Sequence, residues 1–313
     1  MDALVRALGP DTDVTVLTTR PPRGLLITDP AGVKVRRARV LRDRSGAIRG
    51  YVPYLSFDIP LIFRLLVHRS DVIVAEAPPT TGLVAAVVAT LTRRSFVYYP
   101  GDVWTDAVAS MAAPGPVIAV MRTIERFVLR RAVAALAVSS EVAERLGAIG
   151  GRPERVVTVG NGIDTGVFSP EVPAASAARP YFVYTGTMSE WQQPDVFIRA
   201  LAQLADVEVD IRFFGQGAVE ADLKALADQI VPGRVHFGGL VGPGESASWI
   251  RGSVAALVSI VPGIGYDFAR PTKTYAAAAV GSPVLFAGAD IGGEVVRTGR
   301  LGESVDFDAD EVA

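Results

Sequence analysis

The chain of 313 residues is half hydrophobic and one-fifth charged, a composition that packs rather than remaining disordered, and its length favours two domains over one. A net charge of −2 argues against a general nucleic-acid binder. It has no cysteine and only two histidines, His68 and His236; this excludes disulfides, thiolate metal sites and cysteine nucleophiles, leaves little for a serine-histidine relay, and is compatible with the cytoplasm.

Met1 to Leu8 reads as a short helix with no strand before it, and no secretory signal is visible. Asp13–Thr19 alternates β-branched residues and reads as a strand, as does Val33–Leu41. This part of the chain is strongly basic. Arg20, Arg23, Lys34, Arg36, Arg37, Arg39, Arg42, Arg44, Arg49, Arg64 and Arg69 are opposed there only by Asp29, Asp43 and Asp58. Such a run is either a solvated face or a surface for anionic lipid. Asp58 as a cap and Pro60 in a first turn predict a helix to about His68.

From there strands and helices alternate. Asp71–Ala75, Phe96–Tyr99, Val133–Val138 and Arg155–Val159 read as strands; Thr80–Leu91, Val117–Arg131 and a helix capped by Ser139 and Ser140 lie between them. Thr81–Leu91, the longest apolar stretch, is too short to span a bilayer. The alternation predicts a parallel sheet covered on both faces over residues 1–167. Residues 168–180, rich in Pro, Ala and Ser, read as a linker. The pattern then restarts over 181–313, with strands at Tyr181–Thr185, Val209–Phe214, Val235–Phe237, Ala255–Ile260 and Val284–Ala287. Helices at Pro194–Leu204, Val219–Ile230 and Gly244–Arg251 separate the first four. Two such arrays predict a cleft between facing strand ends.

The stretch around which the second array is organised is Arg270-Pro271-Thr272-Lys273-Thr274-Tyr275, followed by Ala276–Val280 and Gly281-Ser282-Pro283. Pro271 suits a first helical turn and Gly281 a helix stop. The free N–H groups and positive dipole end, with Arg270 and Lys273 beside them, form a place for phosphate. An ordinary helix start carrying two solvated cations is the plain alternative.

Five short segments in order resemble the GT-B glycosyltransferases, specifically the large retaining family usually numbered four. They are Asn161-Gly162-Ile163-Asp164 with Phe168 and Pro170, the loop Tyr184-Thr185-Gly186-Thr187-Met188, the second glycine loop Phe214-Gly215-Gln216-Gly217, the Pro271–Lys273 helix with Gly281-Ser282-Pro283, and Asp102-Val103-Trp104. The resemblance implies two Rossmann-like parallel-sheet domains facing a cleft. It also implies a nucleotide-sugar donor and a glycan or lipid-linked acceptor, with no metal or other cofactor. Against the family pattern a first strand with its glycine loop and the closing C-terminal helices are missing, so an incomplete fold is expected at both ends. The cations usual in the first glycine loop are replaced by Thr187 and Gln192, and the two family glutamates by Phe268 and Ala276.

The residues expected to form the donor site are therefore Gly186, Thr187, Gln192, Gly215, Leu240, Val241, Arg270, Thr272, Lys273 and Glu294. Arg270 and Lys273 stand in for the lost cations, Leu240 and Val241 border the base, and Glu294 is the nearest later carboxylate. Asp102 and Asp267 are the catalytic carboxylates expected near the sugars, Asp102 being equally suited to a turn. Trp104 and Trp191 fit a sugar site or a core, Asn161 and Asp164 a hinge, and His236 a structural place. Two functions remain open at this point. One is retaining transfer of a hexose to a cell-envelope or polysaccharide acceptor, in the cytoplasm at the inner face of the plasma membrane. The other is a non-catalytic relative that binds sugar nucleotide or serves as a partner subunit. An epimerase on the same plan would need more polar acid/base groups than are seen.

Overall fold

The computed structural model describes residues 2–8, 12–21, 29–42, 48, 51–110 and 113–313. Arg23, Asp43, Arg44 and Arg49 of the basic stretch lie outside these residues. The chain divides into two compact units, Met1–Gly160 and Asn161–Ala313.

The first unit runs α1 (Asp2–Ala7), β1 (Thr15–Thr19), β2 (Lys34–Ala38), α2 (Tyr51–Val67), β3 (Val72–Glu76), α3 (Pro79–Thr92), β4 (Ser95–Tyr99), α4 (Trp104–Ser110), α5 (Gly115–Arg131), β5 (Ala134–Ala137), α6 (Ser140–Ile149) and β6 (Val156–Thr158). Its strands make two parallel sheets, β1-β2 and β3-β4-β5-β6. Ala85, Ala86, Val88 and Ala89 of α3 are buried, and small side chains let the helix sit close. A Cβ on Gly82 would stand 2.9 Å from the Tyr98 ring.

Two expectations for this unit need correction. At the edge strand β3 the described residues cover only one face: Ile73 and Ala75 are buried, whereas Val72 and Val74 on the other face are exposed. Nor does a helix start at Pro60. α2 runs continuously through it from Tyr51, because Asp58 does not cap its own helix. Its carboxylate turns inward and accepts from the Thr81 hydroxyl of α3 at 2.6 Å. A tertiary bond has overridden a local signal, and burial raises the pKa of this carboxyl. Ser139 does cap α6, accepting from the Val142 amide at 3.2 Å.

The second unit runs β7 (Tyr181–Thr185), α7 (Asp195–Gln203), β8 (Asp210–Phe214), α8 (Glu220–Ile230), β9 (Val235–Gly239), α9 (Pro243–Arg251), β10 (Ala256–Ser259), α10 (Thr272–Val280), β11 (Val284–Ala287), α11 (Asp290–Thr298), β12 (Gly302–Val305) and α12 (Ala309–Val312). One parallel sheet in the order β12-β11-β10-β7-β8-β9 carries them. Val183, Phe213, Val258 and Phe286 at its centre are fully buried, as continuous apolar strands in a doubly covered sheet require. Residues before β7 run along α9: the Ala175 amide donates to Ser248 O at 2.9 Å and the Arg251 guanidinium to Pro170 O at 3.3 Å. His236 is structural, its Nε2 lying 2.9 Å from an Asp210 carboxylate oxygen.

The first unit also holds a buried carboxylate that the sequence did not single out. Glu125 of α5 has no exposed surface. It accepts from the amides of Trp104 and Thr105 and from the Thr105 hydroxyl, at 3.1, 3.0 and 2.6 Å. It therefore caps α4 from another helix, with a negative charge at the positive dipole end. Burial pushes its pKa up while those hydrogen bonds oppose the rise. Glu125→Ala leaves the orphaned donors and a cavity, and should lower stability by about 2–4 kcal/mol. Denaturant unfolding followed through Trp104 fluorescence measures it.

Candidate functional site

In an open parallel sheet the chain order reverses at one point, and the loops at the strand C-terminal ends part there. In the second unit that point lies between β7 and β10. The loops after β7, β8 and β9 are laced together by backbone bonds. The Gly186 amide donates to Phe214 O at 2.8 Å, the Gly215 amide to Gly239 O at 2.7 Å, and the Met188 amide to Gln216 O at 3.2 Å. Such approach leaves no room for side chains. A Cβ on Gly215 would stand 2.0 Å from Gly186 O, and one on Gly217 1.8 Å from Met188 O. Gly186 (φ 113°) and Gly215 (φ 128°) also adopt backbone that favours glycine.

The loop after β10 joins from the other side. The Val261 amide donates to Trp191 O at 3.0 Å. Trp191 stacks on Tyr266 at 5.5 Å, and Tyr266 on Phe268 at 6.1 Å. Trp191 thus belongs to the packing that clamps the two loops. Asn161 Nδ2 donates to Arg270 O at 2.8 Å, directly before α10. Pro271 is the N-cap of that helix, one position earlier than expected, and no side chain caps it. Thr272 is exposed at its start. The hydroxyls of Ser189, Ser259 and Thr274 are buried around this point without a hydrogen-bond partner.

Lys273 is the link between the two sides. Its ammonium lies 3.7 Å from the centre of the Tyr184 ring, 3.2 Å from Gln192 Oε1 and 3.4 Å from Thr187 O. Its Cε would meet a Cβ on Gly186 at 3.0 Å, so the side chain passes directly beneath that turn. The Tyr184 hydroxyl completes the set, its one proton shared between Gln192 Oε1 and Thr187 O, which lie at 2.7 and 2.8 Å. Among the described residues no carboxylate pairs with Lys273, and burial pushes its pKa well below the usual lysine range. Tyr184, buried alongside, is pushed up.

Four of the expected donor residues, Gly186, Thr187, Gln192 and Lys273, therefore form one cluster, with Gly215 against it. Gln192 is buried and acts as the acceptor that orients the ammonium. Arg270 stands 3.6 Å from Glu294 of α11, so two further expected residues are neighbours at the start of α10. Asp267 accepts from the Gly263 amide at 2.8 Å and shapes its own loop, leaving one carboxylate oxygen clear of that bond. Leu240 is two-thirds exposed after β9, with Val241 beside it. Asp102 belongs to the first unit, after β4, and Glu125 fixes the residues that follow it. Asp102 is open to solvent yet crowded enough by protein for desolvation to raise its pKa.

A family model for a glycosyl transferase 4-like domain matches residues 2–162, and one for glycosyl transferases group 1 matches residues 179–313. The chain belongs to this glycosyltransferase family. Among solved structures it is similar to Anabaena HepE in complex with UDP-glucose, at 17% identity and a TM-score of 0.67, covering 96% of this chain and 87% of that one. It is similar also to sucrose-phosphate synthase from Thermosynechococcus elongatus, at 16% identity and 0.74, covering 99% and 79%. WaaG, a glycosyltransferase involved in lipopolysaccharide biosynthesis, gives 14% and 0.67, covering 96% and 88%. At such identities the likeness is one of fold, the two Rossmann-like domains of the GT-B type. No curated protein matches the sequence.

Sequence reasoning missed Tyr184 as a contact of Lys273, although it stands in the quoted glycine loop, because only the fold brings the two together. The glycine pair gives the sharpest test of this geometry. Gly217→Ala sets a methyl against the Met188 backbone and should cost about 1–3 kcal/mol. Thermal unfolding of the purified protein would show the lowered midpoint.

Proposed function

We propose that this family member transfers a hexose, with retention of configuration, from a nucleotide-sugar donor to a cell-envelope or polysaccharide acceptor carried on lipid at an anionic membrane. The observation that carries the donor assignment is Lys273, a cation with no carboxylate partner held under the glycine turn at an uncapped helix start. The complexes of HepE with UDP-glucose, with UDP, and with UDP and glucose support a uridine diphosphate sugar as the class of donor. WaaG's place in lipopolysaccharide biosynthesis supports an envelope acceptor.

In this reading the diphosphate lies over the start of α10. The amides of Thr187, Thr272 and Lys273 meet its oxygens, while Gly186, its own amide bonded to Phe214 O, and Gly215 keep that turn in place. Lys273 supplies a fixed positive charge from beneath. Arg270 exchanges Glu294 for phosphate, and Glu294 is freed toward the ribose. Leu240 and Val241 offer main-chain contacts to the base. Asp267 and Asp102 address hydroxyls of the donor and acceptor sugars. The bond from the anomeric carbon to the diphosphate breaks as the acceptor oxygen attaches on the same face, and the acceptor proton passes to the departing phosphate. Cations and amides already in place stabilise that leaving charge, and no metal or other cofactor enters the scheme.

One observation favours the second reading, a non-catalytic relative. The two places where the family carries glutamates hold Phe268 and Ala276, both buried in packing and chemically inert. Incubation with UDP-sugars and membrane extract separates the two. Released UDP and a product whose anomeric NMR coupling matches the donor's support transfer with retention; UDP binding without turnover supports the alternative.

The site assignment predicts that Arg270→Ala and Lys273→Ala each weaken UDP binding at least about tenfold, at roughly 1.5–3 kcal/mol per charged contact. The double variant should show no heat of binding in calorimetry, and unchanged affinity refutes the assignment. The pH dependence has a definite sign. A lysine whose pKa is lowered loses its charge as pH rises through that lowered value, so UDP affinity should fall over the same interval. A bound diphosphate raises the pKa again, so binding should take up protons. Calorimetry in buffers of different ionisation enthalpy reads that uptake, and Lys273→Met should abolish it.

A further inference from the structure

α2 is apolar on both sides. Asp58, Leu61 and Leu65 face inward and are buried, Asp58 bonding to Thr81 of α3. Val52, Leu55, Ile59, Phe63, Leu66 and Val67 are between 45% and 76% exposed. At 100° per residue these six share an arc of about 120°. The only charged residues of the helix are the buried Asp58 and Arg64, so the exposed arc holds none. An apolar face of this extent marks an interaction surface. α2 does not itself cross a bilayer, since among the described residues no helix is long and apolar enough, and α3 occupies its inner side.

The charge around α2 says what covers it. Arg64 donates from Nη2 to Arg36 O at 2.6 Å, which brings β2 against the helix. Its Nη1 is buried with no partner. Burial, and then the charges of Arg36 and Arg64, lower the pKa of His68 at the same end. Arg94 adds a further guanidinium, donating to Leu65 O and His68 O at 2.8 Å each, and Arg69 follows directly. Asp13 and Asp29 are occupied by Lys34 and Arg37, and among the described residues Arg36, Arg39, Arg64 and Arg69 make no ion pair. Leu41, 56% exposed, extends the apolar face, its amide donating to the Ser56 hydroxyl of α2 at 3.0 Å. An apolar arc beside cations without counter-charges among the described residues complements a layer with apolar depth and an anionic surface.

We infer that the outer face of α2 is the membrane-contact surface of this protein. The helix lies in the plane of the interface with Val52, Leu55, Ile59, Phe63 and Leu66 in the headgroup–acyl boundary, and the exposed Arg36 and Arg69 meet anionic phosphates. The inference deepens the proposed reading of a membrane-borne acceptor, and it can fail independently of the donor assignment.

The test is co-sedimentation of the full chain with phosphatidylcholine vesicles, with and without phosphatidylglycerol. Binding is expected only to the mixed vesicles and should weaken with salt. Phe63→Ser should lower partitioning at least about tenfold through lost apolar burial, and Arg69→Gln about fivefold through one surface charge. UDP calorimetry on both variants reports that they are folded and should be unchanged, since neither residue lies in the donor site. Equal partitioning of Phe63→Ser and the parent chain, or equal binding to neutral and anionic vesicles at all salt concentrations, overturns the inference. So does self-association that Phe63→Ser removes while no vesicle binds, which would assign the face to a second copy. Vesicle binding of the expected kind with no affinity for UDP leaves this surface standing and removes the donor assignment instead.

Discussion

The second unit depends on a lysine placed where lysines rarely sit. Lys273 carries its ammonium onto the face of Tyr184, beneath Gly186 and against Gln192. A cation over an aromatic face gains about 0.5–2 kcal/mol, more when water is excluded. That offsets only part of the desolvation that lowers its pKa. What the arrangement secures is position. One side chain from α10 joins the loop after β7, the strand beneath it and the helix start, so elements far apart in sequence share a single contact.

This contact also accounts for the pattern of glycines. A charged chain passing under a turn needs the turn to approach it, and a side chain at Gly186 would meet the lysine stem. Gly215 and Gly217 then bring the neighbouring loop onto the same turn. The sequence alone shows three glycines that permit close approach. The structure shows that the close partners are backbone carbonyls of the adjacent loop, so these glycines build the floor of the site before any ligand arrives.

How legible the molecule was in its sequence varies by the range of the forces involved. Strands of continuous apolar residues, the Ser139 cap and the Gly281 stop are local, and they stand where pattern and capping rules put them. The Asp58–Pro60 signal is local too and was misleading, because the carboxylate found a better partner in Thr81 across a helix pair. Glu125 and Tyr184 were illegible for the same reason: each acts on residues whose proximity only the tertiary fold creates. The proposed donor cluster was half legible. The residues of Gly186, Thr187, Gln192 and Lys273 could be named from their order along the chain, but Gln192 proves to be a buried acceptor, a role its place in the glycine loop did not suggest.

A cation held inside the fold differs in chemistry from one on an exposed loop. A lysine on an exposed loop is hydrated, and water must be stripped from it as a phosphate arrives. An ammonium already held by an aromatic face and an amide oxygen has lost that water in folding, so its field acts through protein rather than solvent, where a unit charge at 4 Å is worth about 4 kcal/mol at an effective dielectric of 20 against about 1 in water. The cost appears in the folded protein as a lowered pKa, and in the proposed reading the return comes when negative charge grows at the helix start. A site of this design keeps its electrostatics tied to the packing of Tyr184 and Gln192, which is why replacing either neighbour would disturb the charge on Lys273 as surely as replacing the lysine.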